Sequence, residues 1–218
     1  MYNKLKQIFF MKDDYLFKIK RDGKVFVYTK KEFEDLLEIK YIPTLHFDTP
    51  RILKKINKIC IKAGREGLLT KENIWFGTYY EKEIKAHFIP DVYIKWIDST
   101  KEYGLFANKD FKIREFLGEY TGNVRKYRKI MDDKNSYLFE YSIGYKKTPY
   151  TIDAREEGSL IRFVNHSFKP NVSPLSVYLN GAIHIIFRTK RVIKKNEELT
   201  YNYGPFYWKK RENPIGAK

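Results

Sequence analysis

Four short segments hold the residues whose types and spacing could do chemistry. Asn165-His166-Ser167 closes a stretch that begins at Ile152-Asp153-Ala154 and includes Ser159, Arg162 and Phe163. Glu197-Glu198-Leu199-Thr200-Tyr201-Asn202-Tyr203-Gly204 carries two tyrosines one residue apart. Glu119-Tyr120-Thr121-Gly122 and Lys101-Glu102-Tyr103-Gly104 complete the set. Singly, each has an ordinary reading. A tyrosine on a strand is usually core, and a lone His166 is more often a hydrogen-bonded core residue than a ligand. Asn165-His166-Ser167 and Asn171-Val172-Ser173 match the glycosylation sequon, which has little weight without a secretory signal. Metal chemistry is poorly supplied: Cys60 stands alone, which removes an internal disulfide and argues against a Cys-rich zinc site.

Taken together and in this order, the segments resemble the SET-domain protein lysine methyltransferases, in particular their short stand-alone bacterial type. Arg162-Phe163-Val164-Asn165-His166-Ser167 resembles that family's Arg-Phe-x-Asn-His-Ser motif, and Glu198 to Tyr203 its Glu-Leu-Thr-x-x-Tyr motif. Glu119-Tyr120-Thr121-Gly122 is similar to its Tyr-x-Gly strand. Glu102-Tyr103-Gly104 occupies its Gly-x-Gly place, with Glu102 replacing the first glycine. Ser159 stands where Asn is commoner and Phe168 where Cys is usual. In place of a Cys-rich segment after Gly204 comes the aromatic run Phe206-Tyr207-Trp208.

The resemblance implies methyl transfer from S-adenosyl-L-methionine to a lysine side chain of a protein. By it, Glu102, Tyr103, Gly104, Arg162, Phe163, Asn165 and His166 serve the cofactor, with Phe206 and Trp208 covering its adenine. Tyr203, Tyr120 and Tyr201 wall the channel where lysine meets methyl, and no metal takes part. In the family, a Tyr at the position of Tyr201 accompanies enzymes that stop early, so mainly monomethyl product is expected. The implied fold is mainly β with short helices: small sheets, and a pseudoknot in which the Asn165 segment tucks under the strand ending at Tyr203.

The elements that must position these residues are visible in outline. From Asp91 the texture is of short strands with Gly and Asn punctuation, such as Val92 to Ile97, Phe116 to Tyr120 and Ala182 to Phe187. One inserted helix is expected over residues 123–135, with Val124, Tyr127, Ile130 and Met131 on one face, to help select the substrate peptide. Residues 91–208 are expected to form the catalytic domain and residues 205–218 a closing segment. Residues 1–90 read as a small basic α/β or helical lobe. There, Asp22-Gly23 turns a hairpin, Thr29 and Glu32 cap one helix, and Thr49 with Pro50 begins a second that ends before Gly64. Ile52, Ile56, Ile59 and Cys60 form its apolar stripe.

Charge points to the partner. Against 27 acidic side chains stand 43 Lys and Arg, a net +16 spread along the chain, which favours anionic partners. Residues 51–65 hold Arg51, Lys54, Lys55, Lys58, Lys62 and Arg65 and no acid, so contact with DNA or a nucleosome is expected there. The protein partner would be a histone or basic nucleoid protein. A basic enzyme must either gather local acids for it (Asp132, Asp133, Glu140, Glu156, Glu157) or dock on the nucleic acid of a nucleoprotein. An inactive SET-like module that binds chromatin is the alternative. No apolar run is long enough to span a bilayer, and Ile8 to Met11 is too short for a secretory signal core. A cytoplasmic protein, or one reaching a host's nucleus by export, is expected.

Overall fold

A computed structural model describes residues 15–144 and 146–208; the segment Ile8 to Met11, residues 209–218 of the closing segment and the Phe206 side chain lie outside what is described. The chain starts with the expected hairpin: β1 (Leu16–Arg21) pairs antiparallel with β2 (Lys24–Thr29) around Asp22 (φ 47°) and Gly23 (φ 77°). Helix α1 (Lys30–Leu37) has its capping box, the Glu32 carboxylate accepting the Thr29 N–H at 2.7 Å. Short strands β3 (Lys40–Tyr41) and β4 (His46–Phe47) lead to α2 (Pro50–Arg65), capped by Thr49.

Helix α2 runs through Gly64 instead of stopping before it. The left-handed exit falls at Gly67 (φ 70°), where the Leu68 N–H donates to Ala63 O at 2.8 Å and the Gly67 N–H to Gly64 O at 3.3 Å. Helices α3 (Lys71–Tyr79) and α4 (Glu81–Lys85) follow. Gly77 lets α3 approach closely, since a Cβ there would lie 1.9 Å from the carbonyl oxygen of Tyr178.

Short strands dominate from here: β5 (Val92–Asp98), β6 (Glu102–Ala107), β7 (Phe116–Glu119) and β8 (Asn123–Lys126). The single helix expected over residues 123–135 is instead β8 followed by the one-turn α5 (Lys129–Asp132). Its supposed apolar face does not exist. Val124 is buried within a sheet, whereas Ile130 is 96% exposed and Met131 61%. What organises the insertion is polar: Arg125 donates to both Asp132 oxygens (2.6 and 2.9 Å) and to Asp153 (2.6 Å).

After the insertion come β9 (Leu138–Ile143), β10 (Lys146–Asp153), β11 (Glu157–Gly158), a 3-10 turn (Leu160–Phe163) and β12 (Asn165–His166). The last elements are β13 (Val172–Leu179), β14 (Ala182–Thr189), β15 (Thr200–Tyr201) and α6 (Pro205–Trp208). They make small sheets in the orders β2-β1-β5-β6, β4-β8-β10-β9, β13-β14-β7, β11-β3 and β12-β15.

The N-terminal strands are woven into those sheets. Parallel pairing joins β1 to β5, β3 to β11 and β4 to β8. Phe17, Ile19, Phe33 and Ile56 accordingly share one buried cluster with Ile94, Leu105, Ile152 and Phe187. Among the described residues, no helix is long and apolar enough to cross a membrane.

Candidate active site

The site forms where two distant segments run side by side. Strands β12 and β15 pair in parallel, Asn165 opposite Thr200 and His166 opposite Tyr201, and the Ser167 N–H donates to Tyr201 O at 3.0 Å. Asn171, only 2% exposed, locks the crossing. Its amide donates to Glu198 O (2.7 Å) and Glu197 Oε1 (3.1 Å), and its oxygen accepts the Thr200 N–H (2.8 Å). These bonds satisfy a buried amide in full, so the residue read only as part of a sequon is the clamp of the site.

Asn165 lies on this crossing and reaches β6, its amide donating to Tyr103 O at 3.2 Å and Glu198 Oε1 at 3.1 Å. Gly104 sits beneath that amide, where a Cβ would come within 3.1 Å of both Asn165 Nδ2 and Glu198 Oε1. At the turn into β6, Glu102 has φ 56°, a left-handed conformation usually left to glycine. The Glu102 carboxylate accepts the Tyr137 hydroxyl at 3.3 Å.

Around His166 the surroundings are aromatic. Phe168, Trp208 and Tyr203 lie 4.4, 4.8 and 5.3 Å from its ring centre, each at a steep angle. The Tyr203 N–H donates to His166 Nδ1 at 3.1 Å, which fixes the proton on Nε2. Burial lowers the pKa of the ring, keeping it neutral. Both His166 Nε2 and Trp208 Nε1 are buried donors with no hydrogen-bond partner among the described residues. Helix α6 brings Tyr207 against Tyr203 (4.6 Å) and Trp208 beside His166.

Three tyrosines cluster beside these rings. The Tyr201 ring is 4.6 Å from Tyr203 and 4.9 Å from Phe187. Phe139 connects them to Tyr120 at 5.3 Å. The Tyr203 hydroxyl donates to Val164 O at 3.1 Å, and the Tyr120 hydroxyl to Tyr137 O at 2.8 Å. Desolvation raises the pKa of all three phenols well above its usual value, so they are neutral and none is a base at physiological pH.

Arg162 is committed to the scaffold. Its guanidinium donates to Ala154 O (2.8 Å) and Arg155 O (3.1 Å) and lies 3.9 Å from the Tyr137 ring centre. Phe163 is buried, 6.3 Å from the Tyr103 ring. Behind Tyr120, Glu119 Oε1 lies 2.7 Å from His184 Nδ1, joining β7 to β14.

Sequence reasoning assigned no role to Tyr137, Phe139, Phe187, Asn171 or Glu198. Only Glu198 had a usable signal, its place at the head of the Leu-Thr-x-x-Tyr run. Four of the five acids expected to gather for a basic substrate are engaged within the protein. Asp132 is buried on Arg125, Glu140 pairs with Lys147 at 2.6 Å, Glu157 with His46 at 3.1 Å, and Asp133 accepts from Tyr127.

A family model described as the SET domain matches residues 102–204, the stretch that contains these segments. Among curated proteins, N-lysine methyltransferase KMT5A-A of Xenopus laevis is 33% identical over 132 residues, covering 57% of this chain and 37% of that protein. Histone-lysine N-methyltransferase SUV39H1-A of Danio rerio is 35% identical over 101 residues, 44% of this chain and 25% of that protein. Histone-lysine N-methyltransferase EZH2 of Chaetomium thermophilum is 36% identical over 114 residues, 47% of this chain and 7% of that protein. The match thus spans well under half the length of each of these relatives. A solved active polycomb repressive complex 2 in the basal state matches at 31% identity and TM-score 0.50, over 56% of this chain and 16% of that chain. Residues 102–204 thus match the SET domain, and over that stretch the chain is similar to these lysine methyltransferases.

Proposed function

We propose that this protein transfers a methyl group from S-adenosyl-L-methionine to a lysine side chain of a histone or histone-like protein, mainly as a single methylation. The observation that carries the reading is the position of Tyr203. Its backbone holds His166, and its hydroxyl closes an aromatic slot next to two unsatisfied ring donors.

A cofactor fits those donors. Buried N–H groups without partners are costly, and a ligand rich in ring nitrogens and oxygens would satisfy His166 Nε2 and Trp208 Nε1. Backbone groups of Glu102, Tyr103 and Gly104, together with Asn165 and His166, would hold it, with Trp208 covering it. When bound, it supplies the electrophilic sulfonium methyl.

The chain's own residues do the rest. A lysine entering between Tyr120, Tyr201, Tyr203 and Phe187 loses water, which disfavours its ammonium form, so its proton leaves to solvent before transfer. The hydroxyl hydrogens of Tyr203 and Tyr120 are spent on the carbonyls of Val164 and Tyr137. Their oxygens therefore face other neighbours as acceptors, suited to amine N–H and to electron-poor C–H groups. Holding the reactants in line contributes up to about 7–11 kcal/mol of effective concentration, so small displacements are costly.

Incubation with labelled S-adenosyl-L-methionine and mixed histones tests the reading. Wild type should label protein. Tyr203→Phe should lower turnover at least about a hundredfold (~2.7 kcal/mol) while cofactor affinity measured by calorimetry changes a few-fold. No labelling and no cofactor binding by wild type would favour the inactive chromatin-binding module.

A further inference from the structure

Helix α2 carries its cations in a line. Arg51, Lys55, Lys58, Lys62 and Arg65 are separated by alternating steps of four and three residues, which keeps them on one face over about 21 Å. All five are exposed, as is Lys54 beside them. The opposite face, Ile52, Ile56, Cys60 and Ala63, is buried in the main core, so the stripe is held rigidly outward. Lys62 reaches Glu66 at 3.5 Å on the surface, a pair of little strength. Among the described residues, Arg51, Lys54, Lys55, Lys58 and Arg65 form no ion pair. The stripe continues onto the hairpin of β9 and β10, where exposed Lys146 and Lys62 line one cleft of about 230 Å³.

We propose that this face is a binding site for duplex DNA, read through its phosphate backbone. It lies outside the methyl-transfer site and does not depend on the activity proposed there. A duplex carries one phosphate per about 1.7 Å of axis, and five cations held rigidly along about 21 Å can each meet a phosphate lining one groove. Single strands are instead held on exposed aromatic platforms, and the exposed surface of α2 has no aromatic residue. An anionic membrane is disfavoured because the apolar stripe an interfacial helix would insert is already buried here. The acidic side chains that would have drawn a basic tail directly are mostly paired within the protein. A basic enzyme that grips DNA is brought to basic proteins already bound on it.

Fluorescence anisotropy of the full chain with a labelled duplex, across a salt series, tests this. Five phosphate contacts predict a slope of log K against log salt of about −4.5, and Lys55→Gln with Lys58→Gln and Lys62→Gln should bring it to about −1.8. Replacing three exposed lysines elsewhere, Lys24, Lys82 and Lys101, by Gln should leave the slope within about half a unit of wild type. Tyr203→Phe should bind the duplex like wild type, which separates this result from failure of the methyl-transfer reading. Equal slopes for the two triple variants would overturn the proposal. So would single-stranded RNA, or phosphatidylserine–phosphatidylcholine vesicles, binding α2 as well as or better than the duplex does. Matching circular dichroism of both triple variants excludes misfolding as the cause of any loss.

Discussion

The backbone N–H of Tyr203 donates to His166 Nδ1 at 3.1 Å, so the residue proposed to close the lysine slot also sets the tautomer of the residue proposed to face the cofactor. The His166 ring cannot shift without moving the Tyr203 backbone.

That bond gives acid sensitivity a direction. Burial lowers the His166 pKa, so the neutral ring stabilises the fold above the unfolded value of ~6.5, and this is lost as pH falls through the lower folded value. His184 runs the other way. Burial alone would lower its pKa, but the Glu119 carboxylate and the Leu179 backbone outweigh burial and raise it. Its contribution is complete below ~6.5 and lost as pH rises through the folded value. Cofactor affinity should therefore weaken on the acid side, and thermal stability should decline on the alkaline side. Calorimetry and melting curves from about pH 5 to about pH 9 check both limbs. His184→Gln should flatten the alkaline limb only, and an unchanged limb would refute its assignment to this pair.

Gly104→Ala tests the other edge of the site. A Cβ there meets Ile97 Cδ1 at 2.6 Å, which can yield, and both partners of the Asn165–Glu198 hydrogen bond at 3.1 Å, which must give by a few tenths of an ångström and so strain that bond. Losing a hydrogen bond to a carboxylate costs about 1.5–3 kcal/mol. Cofactor affinity should drop at least about tenfold, with a lowered melting temperature. Wild-type values for both would show that Gly104 is not packed as described.

On the proposed function, Tyr201 sets the product. Its hydroxyl, with a water hydrogen-bonded to it, would occupy space that a methylated amine needs in order to turn. Liquid water takes roughly 30 Å³ per molecule, about the demand of one added methyl. Tyr201→Phe should move products from monomethyl- towards di- and trimethyl-lysine, read by mass spectrometry, with turnover retained. Abundant trimethyl-lysine from wild type under single-turnover conditions would contradict this.

What the sequence disclosed, and what it withheld, follows from range. Caps at Thr29 and Thr49 are bonds across three residues, so they are written locally. The four motifs are readable because backbone approach, as at Gly104 and Asn165, admits few residue types. Helix α3 was missed because Ile74, Trp75 and Tyr79 point to solvent while Phe76 packs inward, leaving no one-sided stripe. Residues 123–135 misled for the converse reason. An apparent helical period there belongs to an internal strand and an exposed turn joined by Arg125. The clamp at Asn171 and the Tyr137 carbonyl under Tyr120 act through partners far along the chain, which spacing alone does not record.

The crossing of β12 and β15 also orders events in time. Thr200 to Tyr203 leave the ribosome after every strand of the larger sheets, so nascent chains can fold much of their core while the reaction centre does not yet exist. Closing that contact spans the whole β13–β14 hairpin, a non-local step whose loop entropy must be met before it is rewarded. The proposed activity should therefore appear later than compactness during synthesis.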